Sequence, residues 1–378
     1  MPRPSKRASP MAVWTPTLQA LLDACPRFPP RLHPAAAAAD AFDPIVDSLY
    51  RCGWFDEHPQ AATRVRLALQ DLRLERLCGY YTPPSTPEVF ELTLRWTTIA
   101  WLVDDTLARA SSPAALSEAI RDHRRFILPA LRGFLVQGAP PLARFIAQHA
   151  HRFARVAPRA TLVGFQRSAE RWLERGTLAL ATYAMAGLTP TLAAQESMRR
   201  WDGGADASIH HLQLCWPSIA PFCAGGGRAL PAIEHLHRVA ATHAALMSDV
   251  LAYEREFVRV RERHGCLARA NIVRSVAARR GCSESHALHV VLRRLRALTE
   301  EFATRVENLA RDFEGCEGTT RSSLLAYAEA LGRLMHAPVL WSMEGGRPRS
   351  PTEGPTRSPG ATVPRSPHLV WLHGGPPG

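Results

Sequence analysis

Two adjacent carboxylates stand at the end of an apolar stretch of the chain. Residues 95–110 read RWTTIAWLVDDTLARA, so that Asp104 and Asp105 follow a run of apolar side chains. Burying a carboxylate without a partner is costly, whereas carboxylate oxygens are ligands that Mg²⁺ uses when it bridges a protein to a phosphate group. The pair therefore predicts either a metal site at the mouth of a cavity or a solvated helix end, and by itself it does not separate the two.

A second group of polar side chains lies in residues 244–259, which read AALMSDVLAYEREFVR. Ser248, Ala252 and Glu256 are spaced i, i+4, i+8, so they share one face of a helix over about 12 Å. A hydroxyl and a carboxylate two turns apart can hold one hard cation with help from water. Asp249 and Arg255 flank this face. The alternative is therefore a charged surface helix with acid–base pairs at helical spacing.

The segments that contain and surround these residues have the periodicity of α-helices. Apolar residues recur at helical spacing, proline and glycine cluster between the periodic segments, and alternating strand patterns are absent. The clearest helical segments are 60–78, 162–186, 231–263 and 284–313. We therefore predict an all-α fold, a single-domain helical bundle over residues 25–345. We expect residues 1–24, a basic Pro/Ser-rich extension, and residues 346–378, a Pro/Gly-rich tail, to be disordered.

Composition limits the class of function. The chain has 378 residues, 46% of them hydrophobic, and a formal net charge of +12. No apolar run reaches the length of a membrane span and the N-terminus lacks the apolar core of a signal peptide, so we expect a cytoplasmic protein without stable membrane insertion. The positive charge is spread along the chain with acids interleaved, and no nucleic-acid-binding motif is present, so no nucleic-acid partner is expected.

From about residue 25 to 347 the chain resembles bacterial class I terpene synthases of the sesquiterpene cyclase type. The likeness rests on the two polar stretches, with 144 residues from Asp104 to Ser248, and on the segment PTLAAQESMRRWDGG between them. It implies the class I terpenoid synthase fold, with an apolar cavity capped by three Mg²⁺ ions, Mn²⁺ being a possible replacement. It also implies a small-molecule substrate, an allylic prenyl diphosphate and most commonly farnesyl diphosphate. That substrate is ionised, its carbocation cyclises, and diphosphate is released. We expect a monomer or a homodimer.

The resemblance also assigns roles to individual residues. The positions that match the family's metal ligands are Asp104, Asp105, Ser248 and Glu256. The positions that match its catalytic sensor, linker and effector of diphosphate binding are Arg199, Asp202 and Gly203, in that order. The arginines that match diphosphate-binding residues are Arg199, Arg255 and Arg347, and the tryptophans that match cavity aromatics are Trp101 and Trp341.

The motifs depart from the family pattern at four positions. Ala108 stands where a third acid is usual, Ser248 replaces an asparagine, Ala252 replaces a serine, and Pro348 replaces a tyrosine. Two main hypotheses follow. The chain is either an active Mg²⁺-dependent cyclase, or a descendant with impaired catalysis that binds a prenyl ligand or a partner protein. The least favoured hypothesis, an arginine-rich nucleic-acid binder, would require salt-dependent retention of RNA or DNA.

Overall fold

The structure is a computed structural model that describes residues 20–25, 31–38, 40–55, 59–108, 110, 112–220, 222, 229–253, 271–313 and 318–344. These residues form helices and loops, with no β-strand among them, which confirms the predicted all-α fold. The α-helices of eight or more residues, in chain order, are α1 (Asp43–Arg51), α2 (Pro59–Leu72), α3 (Leu74–Tyr81), α4 (Pro87–Ala108), α5 (Pro113–Asp122), α6 (Pro141–Val156), α7 (Arg159–Arg171), α8 (Leu178–Met185), α9 (Leu192–Asp202), α10 (Ala205–Gln213), α11 (Ala229–Tyr253), α12 (Ile272–Arg280), α13 (Glu284–Asp312) and α14 (Gly318–Met343).

The predicted boundaries of the bundle stay predictions. Most of the extension 1–24 and all of the tail 346–378 lie outside the described residues. No helix in the part of the chain that the structure describes is long and apolar enough to cross a membrane.

Side-chain caps and glycines set the ends of several helices. The Thr191 hydroxyl accepts a hydrogen bond from the N–H of Ala194 at 3.2 Å where α9 begins, and Ser283 caps α13 in the same way. α9 ends at Asp202 with Gly203 as its C-cap, and the next residue, Gly204, has φ 66°, a backbone conformation that glycine adopts without steric cost. This pair of glycines therefore separates two helices, as expected from the clustering of glycine between the periodic segments.

The segment 60–78, which has helical periodicity throughout, is divided between two helices. Arg73 has φ 51° and ψ 36°, so that α2 ends before it and α3 begins after it. The break takes the Leu72 carbonyl out of the helical hydrogen-bond pattern, and the Trp341 indole of α14 donates to that carbonyl at 2.9 Å. A hydrogen bond from a helix distant in sequence thus stabilises the break at Arg73, where the sequence has no glycine or proline.

α11 is the central helix of the bundle. It packs against α9, α13 and α14, and its middle turns carry small buried side chains that allow neighbouring helices to approach closely, among them Ala240, Ala241, Ala244 and Ala245. The segment 162–186 spans α7 and α8, which are joined by a π-helical turn, Trp172–Thr177. This wide turn packs on α9, close to the residues that the sequence singled out.

Two buried histidines support the central aromatic cluster. His149 and His211 are each 1% exposed or less, and their Nε2 atoms are 3.3 Å apart. Both rings lie beside the Trp96 indole, with centroid distances of 6.1 and 6.2 Å. Burial lowers the pKa of His149 well below its ordinary value and that of His211 to about 3. Both imidazoles are therefore neutral at pH 7, and one donates to the other.

We expect the protein to lose stability as the pH falls from 7 to 5. Burial also lowers the pKa of His243 to about 4. A histidine whose pKa is lower in the folded than in the unfolded chain contributes its full stability above the unfolded value of about 6.5, and loses it as the pH falls toward the folded value. Urea unfolding should show a free energy of unfolding that is lower at pH 5 by about 1–2 kcal/mol for each buried histidine.

Matched glutamine variants test the origin of this effect. His211→Gln should weaken the pH dependence, because the group that titrates is gone. His286→Gln, which changes an exposed residue of α13, should leave it as in the parent protein. Equal pH dependence in the two variants would contradict the assignment to buried histidines.

Candidate active site

A cavity lies among α3, α4, α10, α11 and α14. The rings of Tyr81 and Trp96 form its aromatic wall, and Gly203 and Gly204 border it with their backbone. Its apolar lining side chains are Leu77, Ala100, Ala205, Ala244, Ala245, Leu334 and Pro338. Its polar lining side chains, apart from Tyr81, are Thr97, Ser208 and Ser248. The space is therefore a mainly apolar chamber with a few hydroxyl groups.

The cavity face of α4 leads to the paired carboxylates. Trp96, Ala100 and Asp104 are spaced i, i+4, i+8, and the first two line the cavity. Asp104 is exposed and Asp105 half-buried in the last turn of the helix. Asp104 is also close enough to contribute to the electrostatic environment of Arg199 at the end of α9. The apolar helix face thus ends in two carboxylates, and the charge of one of them, Asp104, acts on the Arg199 guanidinium.

The cavity face of α11 leads to the second polar stretch. Ala244 and Ser248 line the cavity, and Ala252 follows one turn later on the same face. Ala252 is half-buried. Glu256, one turn further, lies outside the described residues. The predicted ligand Ser248 therefore borders the cavity, and the alanine that replaces the family's serine continues the same face.

Arg199 is held by two carboxylates. Its Nε donates to Asp249 Oδ2 at 2.9 Å and its Nη2 to Asp249 Oδ1, so the contact is bidentate, while Nη1 donates to Asp202. Burial disfavours the charged guanidinium, but Asp249 and Asp202 outweigh it and raise the pKa of Arg199 above its ordinary value. Asp249 is only 2% exposed and also accepts the Ile272 N–H at 3.2 Å. The predicted sensor and linker are in direct contact.

Asp249 is a site residue that the sequence interpretation did not assign. It was noted only as a neighbour of the Ser248 face, and its bidentate partner lies on a different helix. The signal that could have found it is burial, since position 249 falls on the side of α11 that faces α9 and α12 rather than solvent. An aspartate there needs a cationic partner.

Two tryptophans fix the helix break that contains Gly203. The Trp172 indole donates to the Asp202 carbonyl at 3.1 Å, and the Trp96 indole donates to the Gly204 carbonyl at 3.3 Å. The rings pack edge to face with centroids 5.0 Å apart. The carbonyls on both sides of Gly203 are thereby hydrogen-bonded, and Gly203 itself borders the cavity.

The structure puts the two predicted cavity tryptophans elsewhere. Trp101 is half-buried against the hydrophobic core. Trp341 is 5% exposed and donates to the Leu72 carbonyl. Neither belongs to the lining of the cavity, where the aromatic rings are those of Trp96 and Tyr81. Counting back from Asp104 by fours reaches Ala100 and Trp96, so helical spacing could have identified Trp96.

The described donors at this end of the cavity suit a hard cation. The oxygen atoms there belong to the carboxylates of Asp104 and Asp105 and to the hydroxyl of Ser248, and oxygen is the ligand type that Mg²⁺ prefers. Within the described ranges, no three His, Cys, Asp or Glu residues lie together as a metal site. The other predicted ligand and diphosphate-binding residues, Arg255, Glu256 and Arg347, lie outside those ranges.

A family profile described as "Terpene synthase family 2, C-terminal metal binding" matches residues 95–301, more than half of the chain. The matched region contains both polar stretches and the Arg199 segment. The chain belongs to this terpene synthase family. Membership confirms the resemblance noted in the sequence and implies the use of a divalent metal. No curated protein sequence matches this terpene synthase chain.

Solved structures share the fold of this terpene synthase family member. Hedycaryol synthase in complex with HEPES matches with a TM-score of 0.66 at 20% identity, over 85% of this chain and 97% of that one. An a-eudesmol synthase matches with a TM-score of 0.67 at 18% identity, over 84% and 98%. The germacradien-4-ol synthase from Streptomyces citricolor matches with a TM-score of 0.61 at 16% identity, over 84% and 97%. The class I terpene synthase fold is therefore confirmed over most of the chain.

We predict that Asp249→Asn strongly destabilises the protein. The substitution keeps the side-chain shape but leaves Arg199 with a single carboxylate, and breaking a buried ion pair by changing one partner should lower the free energy of unfolding by about 2–4 kcal/mol. Urea denaturation measures the change.

A matched control lies on the same helix as Arg199. Glu196 of α9 pairs with Arg294 at 2.6 Å, but both side chains are about a third or more exposed. Glu196→Gln should therefore change stability by no more than about 0.5 kcal/mol. If both variants lower the free energy of unfolding by similar amounts, the Arg199–Asp249 pair contributes no more to stability than an exposed ion pair.

Proposed function

We propose that this chain is a class I terpene cyclase whose substrate is farnesyl diphosphate. The observation that carries the proposal is the mainly apolar cavity whose faces on α4 and α11 lead to Asp104 and Ser248. An isoprenoid chain fits an apolar chamber, and its diphosphate fits the carboxylate and guanidinium end. The likeness of the fold to hedycaryol, eudesmol and germacradienol synthases supports the choice of a sesquiterpene precursor.

The charged end of the cavity would bind and ionise the diphosphate. The residues that would hold Mg²⁺ are Asp104, Asp105, Ser248 and Glu256. Bound Mg²⁺ supplies positive charge that stabilises the departing diphosphate. Arg199 presents planar N–H donors that match phosphate oxygens, and Arg255 and Arg347 would add further positive charge. Asp249 keeps the Arg199 guanidinium oriented before substrate arrives.

The wall of the cavity would then guide the carbocation. The faces of Trp96 and Tyr81 attract positive charge through their π systems. The apolar side chains around them exclude bulk water, which would otherwise quench the cation at random. Gly203, between two carbonyls that are already hydrogen-bonded, would contribute a backbone dipole beside the ionising bond.

Incubation of the purified full-length protein with Mg²⁺ and C10, C15 and C20 prenyl diphosphates tests the function. We expect release of a cyclic terpene from farnesyl diphosphate, detected by gas chromatography with mass spectrometry, and no product after EDTA treatment. Asp104→Asn and Arg199→Lys should each lower kcat/KM by at least about 100-fold. The first removes a carboxylate that would hold Mg²⁺, and the second removes the planar guanidinium that would bind the diphosphate.

The exposed ion pair between Glu196 of α9 and Arg294 of α13 again provides the control. Glu196→Gln, away from the cavity, should leave kcat/KM within about two-fold, in line with the weak energetics of exposed pairs. Turnover that persists in EDTA, or in Asp104→Asn, would overturn the assignment of the metal site.

A second candidate function is ligand binding with weakened or lost catalysis. The observation in its favour is Ala252, whose methyl group continues the cavity face of α11 where the family has a serine ligand. Calorimetric titration with pyrophosphate and Mg²⁺ separates the candidates. Tight binding without turnover of any prenyl diphosphate would favour the second one.

We predict that the pair Ser248→Asn and Ala252→Ser raises the activity of the cyclase. The two substitutions supply an amide and a hydroxyl oxygen to the cation, so the Mg²⁺ concentration at half-maximal rate should fall by about ten-fold or more, as expected for better oxygen ligation. Ala252→Val is the control, because it adds volume without an oxygen and should not lower that concentration. No change with the restored pair would mean that this metal position does not limit turnover.

A further inference from the structure

The loop that precedes α6 places two large apolar side chains in solvent. Phe134 is 68% exposed and Leu135 is 55% exposed. Single exposed apolar residues are ordinary on a protein surface. Among the described residues, however, these two are the only exposed large apolar side chains that are adjacent in sequence. We call Phe134 and Leu135 the loop tip.

The backbone holds the loop tip in its exposed position. Gly133 and Gly138 on either side of it have φ 87° and φ 75°, values that glycine adopts without steric cost. The N–H of Phe134 donates to the Pro129 carbonyl at 3.1 Å, which ties the tip to the chain before it. The two apolar side chains are therefore presented by an ordered turn.

The loop tip lies within the most one-sidedly charged segment of the chain. Residues 123–169 contain eight arginines and no aspartate or glutamate. Three of these arginines pair with glutamates from outside the segment, namely Arg124, Arg132 and Arg152. Four others are exposed, namely Arg125, Arg155, Arg159 and Arg167. The segment therefore carries positive charge that it cannot neutralise by itself.

Basic side chains border the loop tip directly. A Cβ on Gly133 would lie 3.0 Å from Cε1 of His151, so the loop packs on that part of α6. Arg155 follows His151 by four residues, shares its helix face and is exposed. Arg132, two residues before the tip, has a side chain that is 55% exposed, and Glu170 balances part of its charge. The apolar pair thus has cationic groups beside it.

This combination fits the surface of an anionic bilayer better than it fits a protein. A stable protein–protein interface takes about 20–30 residues from each partner, far more than two side chains supply. A bilayer needs no complementary pocket, because apolar side chains enter the boundary between headgroups and acyl chains while arginines contact the lipid phosphates. Both requirements are met by the loop tip and its surroundings.

We propose that the loop tip and the arginines around it dock the protein on membranes that contain anionic lipids. Phe134 and Leu135 enter the interface, and Arg155 contacts the phosphate groups of the lipids. This contact is peripheral and requires no helix to cross the bilayer. It does not depend on the proposed cyclase function. For a cyclase, it would bring the enzyme to the phase into which an apolar product partitions.

Sedimentation of the full-length protein with sucrose-loaded vesicles tests the docking. Binding to vesicles of equal parts phosphatidylglycerol and phosphatidylcholine should be at least about ten-fold tighter than to phosphatidylcholine alone, and added salt should weaken it. Leu135→Ser should lower the partition coefficient by about five-fold, and Phe134→Ser combined with Leu135→Ser by at least about 30-fold, since apolar area is lost. Arg155→Gln should lower it by about five-fold.

Each substitution has a matched control. Leu188 is 60% exposed and follows Gly187, which has φ 67°, so Leu188→Ser removes a leucine from a similar glycine-containing loop. Arg293→Gln removes the charge of an exposed arginine on α13, which packs against α11, α12 and α14. Both controls should keep the parent partition coefficient within about two-fold. All of these side chains are exposed, and circular dichroism checks that each variant is folded.

The outcomes are distinct from those of the cyclase assay. A parent protein that stays in the supernatant with both vesicle types overturns the docking, whether or not it converts farnesyl diphosphate. Binding that Leu135→Ser lowers no more than Leu188→Ser does, or Arg155→Gln no more than Arg293→Gln, would mean adsorption through net charge or another surface, and also overturns it. A dimer in light scattering that Leu135→Ser dissociates, without vesicle binding, would assign the tip to a second copy of the chain instead.

Discussion

The ion pairs that the mostly buried Arg199 makes with Asp249 and Asp202 are the contacts on which this end of the bundle depends. Arg199 links α9 to α11 through its two hydrogen bonds to Asp249. Asp249 in turn accepts the N–H of Ile272, and the Asn271 side chain donates to the Asp249 carbonyl at 2.8 Å, so α12 begins against the same residue. Each of these groups would be costly to bury alone. Together they fix where α9 ends, and with it the position of the glycine break beside the cavity.

The glycine break is held from its other side by close packing. The π-helical turn Trp172–Thr177 approaches so closely that a Cβ on Gly176 would lie 2.3 Å from the backbone nitrogen of Asp202. The indoles of Trp172 and Trp96 then satisfy carbonyls that the end of a helix leaves without helical partners. Trp96 is both a donor to the break and part of the cavity wall. The shape of the chamber and the geometry of the break are therefore set by one side chain.

Local signals in the sequence were sufficient for the fold class, because helical periodicity, caps and glycine pairs act over a few residues. The break at Gly203 and Gly204 is of this kind. The break at Arg73 is not, since it depends on the Trp341 indole from far along the chain and has no local turn residue. The same distinction applies to the tryptophans. Trp341 was interpreted by its motif position, while its environment is decided by which helix packs beside it.

In the candidate site, the helical spacing of residues predicted which side chains share a face of one helix. It did not predict contacts between side chains of two different helices. Ser248 borders the cavity, and Asp104 continues the cavity face of α4, as their helical registers indicate. The partner of Arg199 could not be read in this way, because Asp249 reaches it across α9 and α11.

The pairing of Arg199 also bears on how binding could reach the glycine break. Its Nε and Nη2 are taken by Asp249, whereas Nη1 contacts Asp202, the last residue of α9. An anion that took over Nη1 would release Asp202 without breaking the two bonds to Asp249. The guanidinium would stay in place, and the change would fall on the residue that directly precedes Gly203. Because the Asp202 carbonyl is held by Trp172, the side chain can be released while the backbone of the break keeps its anchor.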